Sequence, residues 1–316
     1  MSTSEKKHRV NGVARIILYP ALWIRRKYIF YNRYILGKYF PYKLASNIYK
    51  RAMHRKMNWD NPQDLNEKIT WLKMNSDTSE WTRLADKYRV REFIKEKGYE
   101  DILVNLLGVW DDVEDIDFAH LPNRFVLKTN NGAGAVLFVK DKQKLNIEET
   151  KTTIKDWLKE DFGLMNAEPH YSRIQPKIIA EDYIDSGTDK SFSLVDYKMW
   201  CFNGKLFGTW VCYDRVGMSA MTEWHDVGWK YRPEWSIFTH KYKNGGGVIP
   251  KPQNYERMIK IAEDLSLGFP QVRVDLYNVN GVIYFGEMTF SSSGGHNNFY
   301  TDQVLQEMGR MVVLPN

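Results

Sequence analysis

Across residues 271–290, apolar and polar positions alternate in two runs, VRVDLY and VIYFGEMTF, on either side of Asn280-Gly281. Period two broken by Asn-Gly predicts two antiparallel strands joined by a tight turn. Alternation puts Arg273, Asp275 and Tyr277 on one face of the first strand; on the second it sets Ile283, Phe285, Glu287 and Thr289 against Tyr284, Gly286 and Met288. A turn at Asn280-Gly281 brings Asp275 level with Glu287, so one face can offer a guanidinium and two carboxylates. Hard oxygens of this kind suit Mg²⁺, which takes its remaining ligands from water and phosphate, and Arg273 suits a phosphate charge. A hairpin with solvated carboxylates has the same pattern. The apolar neighbours weigh against it, because burying carboxylates without a cation or donors is costly.

Elsewhere the pattern changes period. Residues 58–98 are helical: Asn61-Pro62-Gln63-Asp64 supplies a start, Ile69 and Leu72 share a face, and a second helix over 84–97 is expected to end at Gly98. ILVNLLGVW (102–110) reads as a buried strand or strand pair and DDVEDIDF (111–118) as an acidic loop or helix entry. In residues 123–140, FVLK is a strand carrying Lys128, NNGAG a permissive loop and AVLFVK a second strand. Backbone N–H groups at Asn131, Gly132 and Gly134 could approach phosphate there, with Lys128 adding charge. An ordinary hairpin turn uses the same residues, and the Gly-Lys-Ser/Thr ending of a Walker loop is absent.

A helix is expected over 148–161, a buried strand in PKIIAEDYIDSG (176–187), and two long strands turning at Asn203-Gly204. Asp196 and Lys198 share a face there and read as a surface ion pair. Residues 216–247, rich in Trp and Gly, read as a loop that closes over a substrate or packs by its aromatics. Residues 254–267 form an amphipathic helix with Met258, Ile261, Ala262 and Leu265 on one face, capped by Gly268. SSSGGHNNFY (291–300) follows the hairpin directly; Ser292, Ser293 and Gly294 suit an anion, and His296 reads as a base, a glycan contact or a hydrogen-bonded loop histidine.

The 316 residues, 43% hydrophobic and 14% aromatic, are enough for two or three lobes. Cys201 and Cys212 fit neither a disulfide framework nor a metal-ligand spacing and read as packing residues in a reducing compartment. The net charge of +6 is unevenly placed. Residues 1–56 hold fourteen Lys/Arg against the single acid Glu5, a balance of +13 that leaves −7 for the rest. That segment has no apolar run near the roughly 20 residues of a membrane span and no signal-peptide pattern. It fits a helical extension packed on the body or a basic aromatic surface for an anionic membrane. No nucleic-acid module follows it, and no nucleic-acid partner is expected.

Taken in order, FVLK with its Gly-rich loop, IIAEDYI, DYKMWCFNGK, RVDLY and FGEMTF resemble the ATP-grasp superfamily, specifically its TupA-like branch linked to teichuronopeptide and surface-polysaccharide biosynthesis. The resemblance covers roughly 58–309. It implies an α+β fold in which two α+β lobes enclose a nucleotide cleft. Residues 1–56 would be a basic extension, 57–122 a small N-terminal α/β lobe, 123–185 the small ATP-grasp lobe and 186–316 the large lobe with the metal site.

The resemblance also implies roles. Lys128 would contact phosphate under the loop 131–134. Ala180, Glu181, Tyr183 and Ile184 would form the adenine hinge, with Asp196 near ribose and Lys198 near phosphate. Arg273 would stabilise the transferring phosphoryl group, Asp275 and Glu287 would bind Mg²⁺, and Thr289 stands where relatives outside this branch carry Asn. Ser292, Ser293, Gly294 and His296 would meet the substrate. The implied activity is a cytoplasmic ATP- and Mg²⁺-dependent carboxylate–amine ligase, with a peripheral position at the inner face of the plasma membrane as a variant. Its partners would be a carboxylated sugar or glycan precursor and an amine. A sugar kinase or a nucleotide-sugar glycosyltransferase would use a similar set of residues, and a non-enzymatic scaffold tethered by the basic segment is a fourth reading.

Overall fold

A computed structural model describes residues 28–186 and 193–315. Residues 1–27 of the basic segment lie outside the described residues. Among the described residues ten strands form two sheets. The smaller contains β1 (Leu106–Trp110), β2 (Phe125–Thr129), β3 (Val136–Val139) and β4 (Ile178–Asp182) in the order β1-β4-β2-β3, antiparallel throughout. The larger contains β5 (Asp196–Phe202), β6 (Lys205–Val216), β7 (Ser219–Asp226), β8 (Tyr242–Asn244), β9 (Val272–Val279) and β10 (Val282–Thr289), ordered β10-β9-β5-β6-β7-β8. Helices accompany both sheets, giving the α+β class.

Each sheet has its own core. Phe125, Leu127, Val139, Ile178 and Ala180 pack with Ile154 of the helix Ile147–Lys159 under the small sheet. The large sheet packs one face against the helix Tyr255–Ser266, whose Met258, Ile261, Ala262 and Leu265 are all fully buried. The helices of residues 65–96 join this larger core, whereas β1 and residues 113–121 belong to the smaller, so residues 57–122 divide between the two.

The helix Leu65–Asn75 starts where Asp64 accepts from the Glu67 amide at 2.9 Å and Glu67 Oε2 accepts from the Gln63 amide at 2.8 Å, a reciprocal cap. The expected helix over 84–97 is two short helices, Ser79–Ala85 and Val90–Glu96. Asp86 interrupts it by accepting from the Tyr88 and Arg89 amides, which ends one helix and starts the next. Gly98 follows in the left-handed conformation, φ +78°.

Residues 216–247, read as a loop, contain β7 and β8. Glu223 of β7 is fully buried; it accepts from Tyr213, His225 and the amides of Val248 and Ile249, tying the returning chain to the sheet. In the N-terminal segment, the helix Pro41–Met53 buries Leu44, Ala45 and Tyr49, while Tyr31, Tyr39 and Phe40 are more than half exposed. Among the described residues no helix is long and apolar enough to cross a membrane.

Candidate active site

The hairpin forms as its pattern requires. Asn280 and Gly281 both take positive φ, 52° and 86°, as a two-residue turn of this hand needs. Val274, Leu276, Ile283, Phe285 and Met288 enter the core, and Arg273, Asp275 and Glu287 take the opposite face. Simple alternation had placed Ile283 and Phe285 beside Glu287. A β-bulge between Phe285 and Glu287 corrects this: Gly286 is the extra residue, so Phe285 pairs with Leu276 and Glu287 with Asp275. The bulge lets one strand bury Phe285 and Met288 while turning Glu287 and Thr289 to the polar face.

Neighbouring strands extend this face. The register aligns Glu287, Asp275, Lys198 and Trp210 in one row across β10, β9, β5 and β6, with Thr289 opposite Arg273 in the next. Arg273 donates from Nε to Asp275 Oδ1 at 2.6 Å and from Nη2 to Oδ2 at 2.7 Å, a bidentate pair; its Nη1 donates to Ser292 Oγ at 2.7 Å. Glu287 Oε1 lies 3.6 Å from Arg273 Nη2 and accepts from Thr289 Oγ1 at 3.1 Å. Lys198 pairs with Asp275 and, at 2.7 Å, with Asp196, which Arg215 also approaches at 3.0 Å. Asp196 and Lys198 are buried, 7% and 8% exposed, so the expected surface ion pair is part of an interior network.

Burial opposes charge on Arg273, Asp275 and Lys198, but their mutual attraction outweighs it. Arg273 and Lys198 are held above their usual range and Asp275 below its own. Three carboxylates face three cations.

A second group comes from the small sheet. Lys128 Nζ lies 2.6 Å from Glu181 Oε2, and Arg91 Nη1 lies 3.4 Å from the same carboxylate. Ala180 is enclosed between β1 and β2, with its backbone in their ladders, whereas Tyr183 and Ile184 lie past the strand end and are half-buried. The loop between β2 and β3 is anchored by Asn130, which bonds Asp86, the Gln175 carbonyl and the Lys177 amide. Asn131, Gly132 and Gly134 line a cavity of about 290 Å³ that shares Ala133, Phe162 and Asn166 with a cavity of about 610 Å³. The larger cavity is walled by Lys198, Arg273, Glu287 and Thr289, and by Ser293, Gly294 and His296 at another side.

Lys87, which sequence reading passed over, joins the two groups. Its amine donates to the Gly132 carbonyl; burial lowers its pKa, opposed by attraction to Glu287, and Lys128 repels it. Arg91, Arg215 and Glu168 were also missed. Each is one charged residue in an unremarkable local run, and only the tertiary fold gives it a partner.

The loop after β10 is more firmly held than a flexible Ser/Gly loop. Ser292 is spent inside the protein, accepting from Arg273 and donating to Asn297 at 3.0 Å, and it orients the guanidinium from off the cavity wall. Asn297 binds Asn66, and Lys73 donates to the Gly294 carbonyl at 2.7 Å.

The expected Mg²⁺ set fits in part. Glu287 and Thr289 present oxygens to the cavity, but both oxygens of Asp275 already accept from Arg273 and Lys198. Among the described residues no three His, Cys, Asp or Glu side chains form a ready cage. A hard divalent ion would therefore rest on Glu287 and share Asp275 with its cations, drawing its other ligands from phosphate.

A two-sheet α+β fold with a Lys-bearing hairpin facing an Arg-carboxylate sheet is the class of architecture the motifs implied. The profile of the family described as TupA-like ATPgrasp matches residues 67–313, and the chain belongs to that family. It is thus an ATP-grasp enzyme. No curated protein matches it. Similar solved structures include D-alanine–D-alanine ligase from Bacillus anthracis complexed with ATP, with 14% identity, 86% of this chain and 74% of that one covered, and a TM-score of 0.46. An L-amino acid ligase from Bacillus licheniformis has 15% identity over 73% and 49%, with a TM-score of 0.41. D-Alanine–D-alanine ligase from Helicobacter pylori has 11% identity over 80% and 68%, with a TM-score of 0.42.

Proposed function

We propose that this enzyme is an ATP-dependent carboxylate–amine ligase acting on a uronic acid or other carboxylate of a cell-surface polysaccharide or its precursor. The observation that carries the reading is the cavity of about 610 Å³, where Arg273, held by Asp275, stands beside Lys198 and Glu287 and adjoins the Gly-rich loop. In this reading the substrate carboxylate attacks the γ-phosphorus of ATP, forming an O–P bond as the bond to ADP breaks. The amine then attacks the acyl carbon, and phosphate leaves with the C–O electrons.

Such chemistry needs charge neutralisation and alignment more than a protein nucleophile. Arg273 and Lys198 would neutralise the transferring group, and Lys128 and the loop 131–134 would hold the other phosphates. Tyr183 and Ile184 would border adenine. Asp196 Oδ1, buried without a partner among the described residues, would accept from a ribose hydroxyl. Bound magnesium would offset phosphate charge beside Glu287, Asp275 and Thr289. The polysaccharide setting rests on the branch the motifs resemble, and Trp210, Tyr242 and Arg215 on the cavity wall suit the face and carboxylate of a uronic sugar.

Purified enzyme should release ADP and free phosphate in equal amounts, only with Mg²⁺, a carboxylated sugar and an amine together. Phosphate retained on the sugar would replace the ligase with a kinase, and an enzyme that never binds ATP would end the reading.

The N-terminal segment supports a peripheral membrane partner: Tyr28, Phe30, Tyr31, Ile35 and Tyr39 are exposed among Arg and Lys. Deleting residues 1–40 should weaken binding to anionic vesicles, which falls with salt in the full chain, and leave nucleotide binding intact. Equal vesicle binding by the truncated chain refutes it.

A further inference from the structure

The cavity has an end that phosphoryl chemistry leaves unused. Glu168 lies on its wall although it is only 4% exposed, and among the described residues no cation comes within ion-pair distance of it, the nearest influence being the buried Lys73. A chain of hydrogen bonds fixes the carboxylate. Ser291 Oγ donates to Glu168 Oε1 at 2.5 Å, so it must accept from His170 Nε2 at 3.2 Å. Oε2 is left for something else.

His296 faces the same end. Its Nδ1 lies 2.9 Å from the Ser293 carbonyl, which can only accept, so the proton sits on Nδ1 and Nε2 carries a lone pair. That Nε2 is buried without a partner among the described residues, in a side chain 9% exposed. Burial and the nearby Lys73 hold His296 down at about 3, so the ring stays neutral at working pH. A Cβ built on Gly294 would lie 3.0 Å from His296 Nδ1 and 3.5 Å from Glu168 Oε2, so the two side chains are neighbours across Gly294, whose φ of +67° itself favours glycine. Tyr171 spans the ends of the cavity: its hydroxyl feels Glu287, Glu168, Arg273 and Asp275 together.

Two acceptors without donors, one of them a carboxylate, are complementary to a group carrying N–H bonds and positive charge. We infer that this end of the cavity binds the amine co-substrate as an ammonium ion and that Glu168 takes its proton to release the nucleophile. The proposal rests on the ligase reading and adds to it the acceptor site and its base. The ammonium donates to Glu168 Oε2 and His296 Nε2 and passes one proton to Glu168. The freed nitrogen lone pair forms the C–N bond as the acyl C–O bond breaks. The second nitrogen proton leaves with the phosphate, and Glu168 returns its own to solvent through the cavity. Burial raises the Glu168 pKa, which makes it a better base than an exposed carboxylate, although Lys73 opposes the shift.

The test compares two nucleophiles on the full-length enzyme, with glucuronate and galacturonate as carboxylates. Hydroxylamine is uncharged at neutral pH and needs no base; glucosamine and lysine are ammonium ions. Glu168→Gln keeps the shape and the acceptor for Ser291, and it should lower the ratio of amide to hydroxamate about 100-fold or more. An unchanged ratio overturns the proposal even if total activity falls. Wild-type enzyme forming no hydroxamate with any carboxylate would instead condemn the ligase reading. Should the variant fail to fold, the unmodified enzyme decides. Methylammonium should compete with glucosamine, whereas tetramethylammonium, equally charged but without N–H, should not; equal inhibition by the two overturns the proposal.

Discussion

Arg273→Met should reduce ATP-dependent phosphate release by about 10²–10³-fold in kcat, the usual size of losing one positioned transition-state donor. Arg273 is 7% exposed and its guanidinium makes bonds to Asp275, Ser292 and Thr289, so no neighbour can take its place without moving. Removing it leaves the buried Asp275 with Lys198 as its remaining partner, and opening a buried pair of this kind costs about 3–5 kcal/mol of stability. Both losses should be read on one sample, by single-turnover phosphate release and by denaturant unfolding. Arg273→Lys separates them: a lysine restores charge near Asp275 but not the two-pronged contact. Stability should then recover more than turnover does. Wild-type turnover in either variant would remove Arg273 from the reaction.

What could be read from the chain was what repeats locally. The 280–281 turn, the cap at Asp64 and the apolar face of the helix Tyr255–Ser266 each sit within a few residues of their cause, and each is present. β7 escaped because it does not alternate: Thr222, Glu223, Trp224 and His225 are all buried, with aromatics on one side and a buried Glu223–His225 pair on the other. A run with both faces enclosed has no period to detect. The helix break at Asp86 escaped for the opposite reason, since Val90, Phe93 and Ile94 continue an apolar face through it.

The candidate site divides along the same line. Arg273, Asp275 and Glu287 were legible because two strands and one turn bring them together. Lys87 and Glu168 were not, because each depends on segments distant in the chain: Lys87 on Gly132, and Glu168 on Ser291, 123 positions away. Asp196 and Lys198 show an intermediate case. Their shared face was read correctly, but their burial depends on β9, whose Asp275 converts an ordinary i,i+2 pair into the centre of the network.

Gly286→Val should lower productive turnover at least tenfold while leaving the hairpin turn intact, because Gly286 is where the second strand changes phase. A Cβ at this position would stand 2.9 Å from the Asp275 carbonyl oxygen, a backbone atom with little room to retreat, and 3.3 Å from the Tyr277 ring. The chain then has two courses. It can keep the bulge and push β9 away, at about 1–3 kcal/mol for overpacking, carrying Asp275 and Arg273 together away from Glu287. It can instead straighten into regular alternation, which swings Glu287 into the core where Phe285 and Met288 belong and turns Met288 toward the cavity. Either course separates Glu287 from Asp275 and Arg273, so the expected result is at least a tenfold loss of phosphate release with a lowered unfolding midpoint. Deleting Gly286 should be gentler, since Phe285, Glu287 and Met288 would then alternate core, cavity, core without a bulge. Turnover ranking the valine variant above the deletion would show that the spacing supplied by Gly286, and not the face it assigns to Glu287, is what the site needs.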